Sequence, residues 1–98
     1  MKKKVQLIGK VSFLNRGYVV AKFAHHQAAL EAKGFEVWNP VVHVPEESTQ
    51  VEAMRICLTN LLNPETTAVS IQPDWVDSEG GKVEYMVSHA LGLEIVRV

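Results

Sequence analysis

The sequence is poor in cysteine, in unbalanced charge and in long apolar runs. Cys57 is the only cysteine among 98 residues, which excludes an intramolecular disulfide and a cysteine-based metal site and fits a reducing cytoplasm. The formal net charge is −1, so no basic excess is available to bind duplex DNA or RNA. No apolar run is long enough to span a membrane. These absences predict a cytoplasmic protein whose ligand is neither a nucleic-acid duplex nor a lipid bilayer.

The chain does contain enough apolar sequence for one folded core. Hydrophobic residues make up 47% of the chain and charged residues 21%, a balance typical of folded domains rather than disordered ones. A length of 98 residues suffices for one sheet covered by helices but is too short for a second core. We therefore expect a single domain over residues 1–98.

The first part of the chain predicts a strand, a helix and a second strand. Residues 5–8 form a short apolar run that ends at a glycine, as a first strand would. Asn15 can cap the following helix, because apolar residues recur at helical spacing over residues 19–30 and Gly34 ends the pattern. Residues 35–38 then read as a second strand.

The second part of the chain repeats this alternation after an irregular loop at residues 40–47. Thr49 and Glu52 form a capping-box pattern ahead of an apolar stripe, which predicts a second helix that ends before Pro64. The remaining predicted elements are a third strand, a third helix and a last strand, at residues 66–72, 83–91 and 93–98.

Regular alternation of strands and helices predicts parallel strands joined by right-handed crossovers, with helices on both faces of the sheet. We expect a flavodoxin-like fold with four strands in the order 2-1-3-4 and about three helices. In such sheets the ligand crevice lies past the carboxyl ends of the strands, where the strand order reverses. This rule selects the loops at residues 9–15 and 73–81.

The second of these loops holds the features of an anion site. Ser78 can cap the third helix, and Gly80 and Gly81 leave backbone N–H groups uncovered at the positive end of that helix. A phosphate or a sugar hydroxyl would fit there. A simpler role fits the same residues, in which Asp77 and Ser78 cap the helix and the glycines turn the chain.

Glu84 is the candidate catalytic residue in the same region. It stands one turn after Gly80, with Val87 and Leu91 at helical spacing on its side, so it should border the buried face. Its carboxylate can lean toward the crevice, and the helix dipole would help keep it ionised, as a nucleophile requires. The alternative is a boundary glutamate that forms a surface ion pair with Lys82 or another cation.

Four stretches of the chain carry a resemblance to a known superfamily. They are Leu7-Ile8-Gly9, Gly34-Phe35-Glu36-Val37-Trp38-Asn39-Pro40, Gln72-Pro73-Asp74-Trp75 and Ser78-x-Gly80-x-x-x-Glu84. The chain resembles the nucleoside 2-deoxyribosyltransferase-like superfamily, and most closely its short bacterial and phage members. The resemblance covers nearly the whole chain, and the Ser-x-Gly-x-x-x-Glu element is its most specific part.

The resemblance implies a fold, a reaction and two residue roles. The fold is a flavodoxin-like parallel sheet, and the ligand is a deoxyribonucleoside or its 5′-monophosphate. Glu84 becomes the nucleophile that attacks the anomeric carbon of the deoxyribose, and Ser78 would hold a 5′-phosphate or 5′-hydroxyl. The reaction would be a double displacement that retains configuration, with water or a second base as acceptor. The resemblance also implies a homodimer, and no cofactor is expected.

Further candidates flank these two residues. An acid must assist the departing base, and Asp74 or Asp77 could supply the proton. Trp75 could stack on the base or form a wall of the cleft, although a lone tryptophan after a strand also serves as packing. Gly9 and Ser12 lie in the opposite loop of the crevice and could add hydrogen bonds to the ligand.

Other features keep a second function open. Asn39 ends a strand on the crevice side, where it could reach the ligand or serve as a turn residue. The chain has Gly9-Lys10 where close relatives usually read Gly-Pro, and an acidic residue often found in the second helix is replaced around residues 55–57. The missing acid favours the alternative of a non-catalytic nucleotide-binding or sensing module of the same fold.

The histidines and the cysteine are not assigned to the site. No metal site is expected, because no two histidines share a spacing that would bring them together with an acid; they are His25, His26, His43 and His89. Cys57 has apolar neighbours at a helical position, which indicates a buried, inert thiol.

Overall fold

The computed structural model describes residues 2–97, and within that range strands and helices alternate along the chain. The strands are β1 (Lys4–Ile8), β2 (Glu36–Trp38), β3 (Thr66–Ile71) and β4 (Glu94–Ile95). The helices are α1 (Arg16–Ala32), α2 (Pro40–His43), α3 (Gln50–Leu61) and α4 (Glu79–Ala90), with a 3-10 helix at Pro73–Asp77 before α4. None of the helices in this range is both long and apolar enough to cross a bilayer.

The four strands form one parallel sheet in the order β2-β1-β3-β4. Val5 of β1 pairs with Val37 on one side and with Ala68 on the other, so β1 and β3 are the central strands. The strand order reverses between them. The flavodoxin-like architecture predicted from the alternation of elements is confirmed.

Side-chain alternation along β1 divides the interior into two layers. Val5 and Leu7 point toward α1, where they pack in a core with Val19, Phe23 and Leu30. The neighbouring side chains of β1 point to the opposite face, where α3 and α4 lie. On that face the core contains Ile8, Leu61 and Val69. Gln6 shares this second face and is fully buried, which is unusual for an amide side chain in a strand.

Two short helices occupy segments that were predicted to be irregular. Asn39 accepts a hydrogen bond from the Val41 N–H and Pro40 starts α2, so one helical turn forms in the predicted loop at residues 40–47. The 3-10 helix Pro73–Asp77 likewise begins with proline. β4 is shorter than the predicted last strand, and Val98 lies outside the described residues.

The predicted helix starts are confirmed in detail. The side chain of Asn15 accepts a hydrogen bond from the Tyr18 N–H at the start of α1. Thr49 and Glu52 form the predicted capping box at α3, with donor–acceptor distances of 3.1 Å and 2.8 Å. These caps fix where α1 and α3 leave the carboxyl edge of the sheet.

Candidate active site

A cavity with a volume of about 290 Å³ lies at the carboxyl end of β1. We call it the main cavity. Its lining includes Gly9, Ser12, Arg16, Glu46, Gln50, Met54, Cys57, Ser78, Gly80 and Glu84. The predicted crevice loops thus supply two of its walls. The segment between β2 and α3, together with the first turns of α3, supplies a third wall that the sequence did not predict.

Glu84 lies at the floor of the main cavity. Its side chain belongs to α4 and the residue is only 8% exposed. The Gln6 Nε2 donates a hydrogen bond of 3.0 Å to Oε1 of this carboxylate. Within residues 2–97 no group donates a hydrogen bond to Oε2. The two oxygens therefore differ, because Oε1 accepts a hydrogen bond from the protein and Oε2 is available to a ligand in the cavity.

Gly80 leaves the space beside the free oxygen open. A Cβ built on Gly80 would stand 4.0 Å from Oε2 of Glu84 and 3.2 Å from the Met54 methyl group. Any larger side chain at this position would crowd the path from the cavity to the carboxylate. The glycine of the Ser-x-Gly-x-x-x-Glu element thus keeps the approach to Glu84 clear.

Burial changes the ionisation of Glu84. Desolvation raises the pKa of its carboxyl from 4.5 to about 7, and the hydrogen bond from Gln6 opposes this rise. Burial therefore outweighs the hydrogen bond from Gln6, and the fully ionised carboxylate expected from the sequence is not the state at neutral pH. At pH near 7 both the protonated and the ionised form are populated, and the ionised form becomes dominant at higher pH.

Cys57 on α3 faces the same carboxylate. Burial raises the pKa of the thiol to about 12, and the nearby charge of Glu84 adds to this effect. The thiol therefore stays protonated near neutral pH, as expected for an inert buried cysteine.

Ser78 combines a structural role with a place in the cavity wall. Its Oγ accepts a hydrogen bond of 2.9 Å from the Gly81 N–H and so caps α4. The residue also lines the main cavity, as does Gly80. The helix start predicted to bind an anion thus lies beside Glu84. The predicted candidates Gly9 and Ser12 line the same cavity from the β1–α1 loop.

The two aspartates do not line the main cavity. Asp74 turns toward α1, where its Oδ2 accepts a hydrogen bond of 2.6 Å from the Lys22 Nζ. Its Oδ1 accepts a second hydrogen bond from the Lys10 N–H at 3.1 Å. Asp77 is exposed at the end of the 3-10 helix. The structure therefore does not bring either predicted acid to Glu84, because Asp74 holds the β1–α1 loop and Asp77 faces solvent.

Trp75 and Asn39 also lie outside the main cavity and have structural contacts. Trp75 stacks on Tyr85 with ring centroids 4.6 Å apart and packs against the core below α4. Asn39 is buried, caps α2 and donates a hydrogen bond to Gln27. In both cases the contacts fit the alternative role, which is packing for Trp75 and a turn for Asn39.

The sequence does not predict three further candidates, two in the cavity lining and one buried residue that contacts Glu84. Arg16 begins α1 and lines the cavity, with its Nη2 3.4 Å from the Val41 carbonyl and its Nε 4.0 Å from Glu46. The sequence does contain a signal for this arginine. Arg16 directly follows the Asn15 cap, and it therefore lies past the end of β1, near the crevice. Glu46 had no such signal, because it lies in a loop. Gln6 was visible only as a polar residue in an otherwise apolar strand.

Comparison with protein families places the chain without assigning an activity. The chain belongs to the family described as a domain of unknown function (DUF4406), whose model matches residues 3–97. No curated protein and no solved structure matches the chain. In the part of the chain that the structure describes, no cluster of three histidine, cysteine, aspartate or glutamate side chains could hold a metal ion.

Proposed function

We propose that this member of the DUF4406 family breaks or transfers the N-glycosidic bond of deoxyribonucleosides or their 5′-monophosphates, with Glu84 as the nucleophile. The observation that carries the proposal is the state of the Glu84 carboxylate, which is buried at the cavity floor with one oxygen held and the other unpartnered. The resemblance to the nucleoside 2-deoxyribosyltransferase-like superfamily supplies the substrate class.

The geometry supports a double displacement. Oε2 of Glu84 would attack C1′ of the sugar, and the bond from C1′ to the base nitrogen would break with its electron pair leaving on the base. Water or a second base would then attack C1′, break the ester to Glu84 and restore the free carboxylate. Two inversions at C1′ give net retention of configuration.

The proton for the departing base has few sources in this cavity. Besides Glu84, the only carboxyl group among the lining residues is that of Glu46, which lies beside Arg16. We therefore propose Glu46 or solvent as the proton donor, in place of the predicted Asp74 and Asp77. A leaving base that needs little protonation would suit this site best.

Two features favour a substrate that carries a 5′-phosphate. The start of α4, with Ser78 and Gly80, offers backbone N–H groups at the positive end of a helix. Arg16 adds a cation to the cavity lining. In a substrate panel, Arg16→Gln should reduce kcat/KM for deoxynucleoside monophosphates by about tenfold or more and change it less for deoxynucleosides.

A non-catalytic nucleotide sensor is the second candidate, and the location of Asp74 and Asp77 outside the cavity is the observation that favours it. A sensor would bind the same ligands at the same place, and would need neither an unpartnered carboxylate oxygen nor an acid. Binding without turnover in the wild-type protein would support this second function.

The test is base release from a panel of deoxynucleosides and deoxynucleoside monophosphates, with and without an acceptor base. Wild type should release base, and Glu84→Gln should not. Glu79→Gln is the matched control, because it makes the same change on an exposed side chain of the same helix. In the wild type, kcat/KM should rise with pH through about 7 as Glu84 ionises. Equal activity of wild type and Glu84→Gln would refute the proposal.

We further propose that the protein is a homodimer, as the resemblance implies. Two apolar side chains one helical turn apart on α4, Val83 and Met86, support this assembly because they are 40% and 69% exposed. A second copy of the chain packed against α4 would remove them from water.

A further inference from the structure

We propose that Gln6 is the positioning residue of the Glu84 carboxylate, and that Asn60 fixes the direction in which the Gln6 amide points. The catalytic part of this inference rests on the proposed function. The positioning part concerns only the geometry and ionisation of Glu84. A protein without catalytic activity could still show this positioning of Glu84 by Gln6.

The hydrogen bonds leave one orientation for the Gln6 amide. Gln6 is fully buried, and one atom of its amide lies 3.0 Å from Oε1 of Glu84 and 3.1 Å from the Cys57 carbonyl oxygen. Both neighbours accept hydrogen bonds when the carboxylate is ionised, so this atom must be the nitrogen, which has two hydrogens to donate. The amide oxygen then faces away from Glu84.

Asn60 completes the arrangement from the other side. Its Nδ2 donates a hydrogen bond of 2.8 Å to Oε1 of Gln6. A flipped Gln6 amide would place its nitrogen against the Asn60 nitrogen and its oxygen against the Cys57 carbonyl, which are two unfavourable contacts. A chain of donors thus runs from α3 through β1 to α4.

This chain has two consequences for Glu84. The Gln6 donor occupies Oε1 and leaves Oε2 as the oxygen that faces the cavity. A donor at Oε1 also stabilises the ionised carboxylate and opposes the effect of burial. The other ionisable groups among the residues that line the main cavity are Cys57 on α3, Arg16 and Glu46.

The first experiment follows the titration of the Glu84 side chain by carbon NMR in the full chain. Gln6→Met keeps a side chain of similar length and removes the donor, so the titration midpoint should move to higher pH by about one unit. Asn60→Asp replaces the donor to Gln6 by an acceptor and should also raise the midpoint, although Asn60 itself makes no contact with Glu84 in the hydrogen-bond chain. An unchanged midpoint in both variants would overturn the inference.

Two matched variants separate positioning from charge. Asn63→Asp makes the same substitution three residues later, where the Asn63 Oδ1 already acts as an acceptor toward the Glu65 N–H. It should leave the midpoint of Glu84 unchanged. In the Gln6→Met background, Asn60→Asp should have little further effect, because the amide that transmits it is gone. An effect of Asn60→Asp that persists in full there would overturn the role of Gln6 as the link.

The second experiment measures turnover with a substrate that the wild type converts. Gln6→Met should lower kcat by about ten- to a hundredfold with a small change in KM, and the acid limb of its pH profile should move to higher pH. A loss confined to KM would overturn the catalytic part. Failure of the wild type to release base would instead count against the proposed function, and the NMR titration would still decide whether Gln6 positions Glu84.

Discussion

At the scale of single residues, the site depends on a carboxylate that is costly to bury. Glu84 is 8% exposed and its charged form is disfavoured by desolvation, so the ionised side chain reduces the stability of the fold. Functional groups are often held in such unfavourable states. The carboxylate that we propose as nucleophile should therefore limit the stability of the protein at alkaline pH.

We predict that Glu84→Gln is more stable than the wild type above pH 7. The folded-state pKa of about 7 lies above the ordinary value of 4.5, so the folded wild type loses stability as pH rises between these values. The full difference corresponds to roughly 3 kcal/mol, and it is absent at low pH, where the carboxyl is neutral in both states. Urea denaturation at about pH 4 and about pH 8.5 measures it.

The matched control for this prediction is Glu79→Gln on the same helix. Glu79 is exposed, so its substitution should give no pH-dependent gain. A Glu84→Gln protein that is no more stable than the wild type at alkaline pH would show that the buried carboxylate does not carry the predicted desolvation cost.

The sequence identified some residues of the site and missed others for physical reasons. Ser78, Gly80 and Glu84 were predicted to lie together because they share one helix start, where spacing along the chain determines proximity. Gln6 and Arg16 were missed because their contacts depend on which face of β1 meets α3 and α4 and on which side of α1 meets the cavity. Such contacts across elements are not determined by local spacing.

At the scale of the elements, Asp74 ties three parts of the fold together. Its carboxylate accepts hydrogen bonds from the Lys22 side chain on α1 and from the Lys10 N–H in the β1–α1 loop, and it belongs to the 3-10 helix before α4. The Lys22 Nζ also donates to the Lys10 carbonyl oxygen at 2.7 Å. This cluster holds the loop that forms one wall of the main cavity.

We predict that Asp74→Asn destabilises the protein without removing its activity. Loss of the charge leaves Lys22 without its ion-pair partner in a partly buried place, which should cost about 1–3 kcal/mol. If Asp74 only supports the loop, kcat should stay within about tenfold of the wild-type value. Loss of a general acid would instead lower kcat by roughly 10²- to 10⁴-fold. Urea denaturation and base release, measured on one preparation, separate these outcomes.

Element lengths explain which parts of the fold could be predicted. α1, α3 and α4 have 17, 12 and 12 residues, long enough for apolar periodicity and capping signals to agree. α2 has only four residues and therefore no periodicity, and the Asn39-Pro40 pair by itself predicts the end of a strand rather than a helix start.

At the scale of the whole molecule, strand order and the position of the crevice followed from the alternation of elements. Parallel order and the carboxyl-edge rule led to the loops at residues 9–15 and 73–81, and the main cavity lies between residues of both regions. The wall formed by residues 44–57 was not predicted, because these residues meet Glu84 and the β1–α1 loop only in the tertiary structure. Tertiary packing of this kind produces no periodic pattern in the sequence from which it could be predicted.

We predict that the chain sediments as a dimer and that Met86→Glu shifts it toward the monomer. Placing a charge on the exposed apolar pair of α4 opposes burial against a second copy. The free energy of unfolding of the monomer should change little, since Met86 is 69% exposed. Sedimentation equilibrium over a range of protein concentrations measures the change, with Val20→Glu on the exposed side of α1 as the control. A wild-type monomer at all concentrations would contradict the prediction.

The most direct test of the central claim is to trap the covalent intermediate. Wild-type protein mixed with a substrate identified in the panel is quenched in acid during turnover, digested and analysed by peptide mass spectrometry. We predict that one deoxyribosyl group is attached to the peptide that contains Glu84, and that the adduct is absent from Glu84→Gln. Base release accompanied by an adduct on a different peptide, or undiminished in Glu84→Gln, would contradict the account.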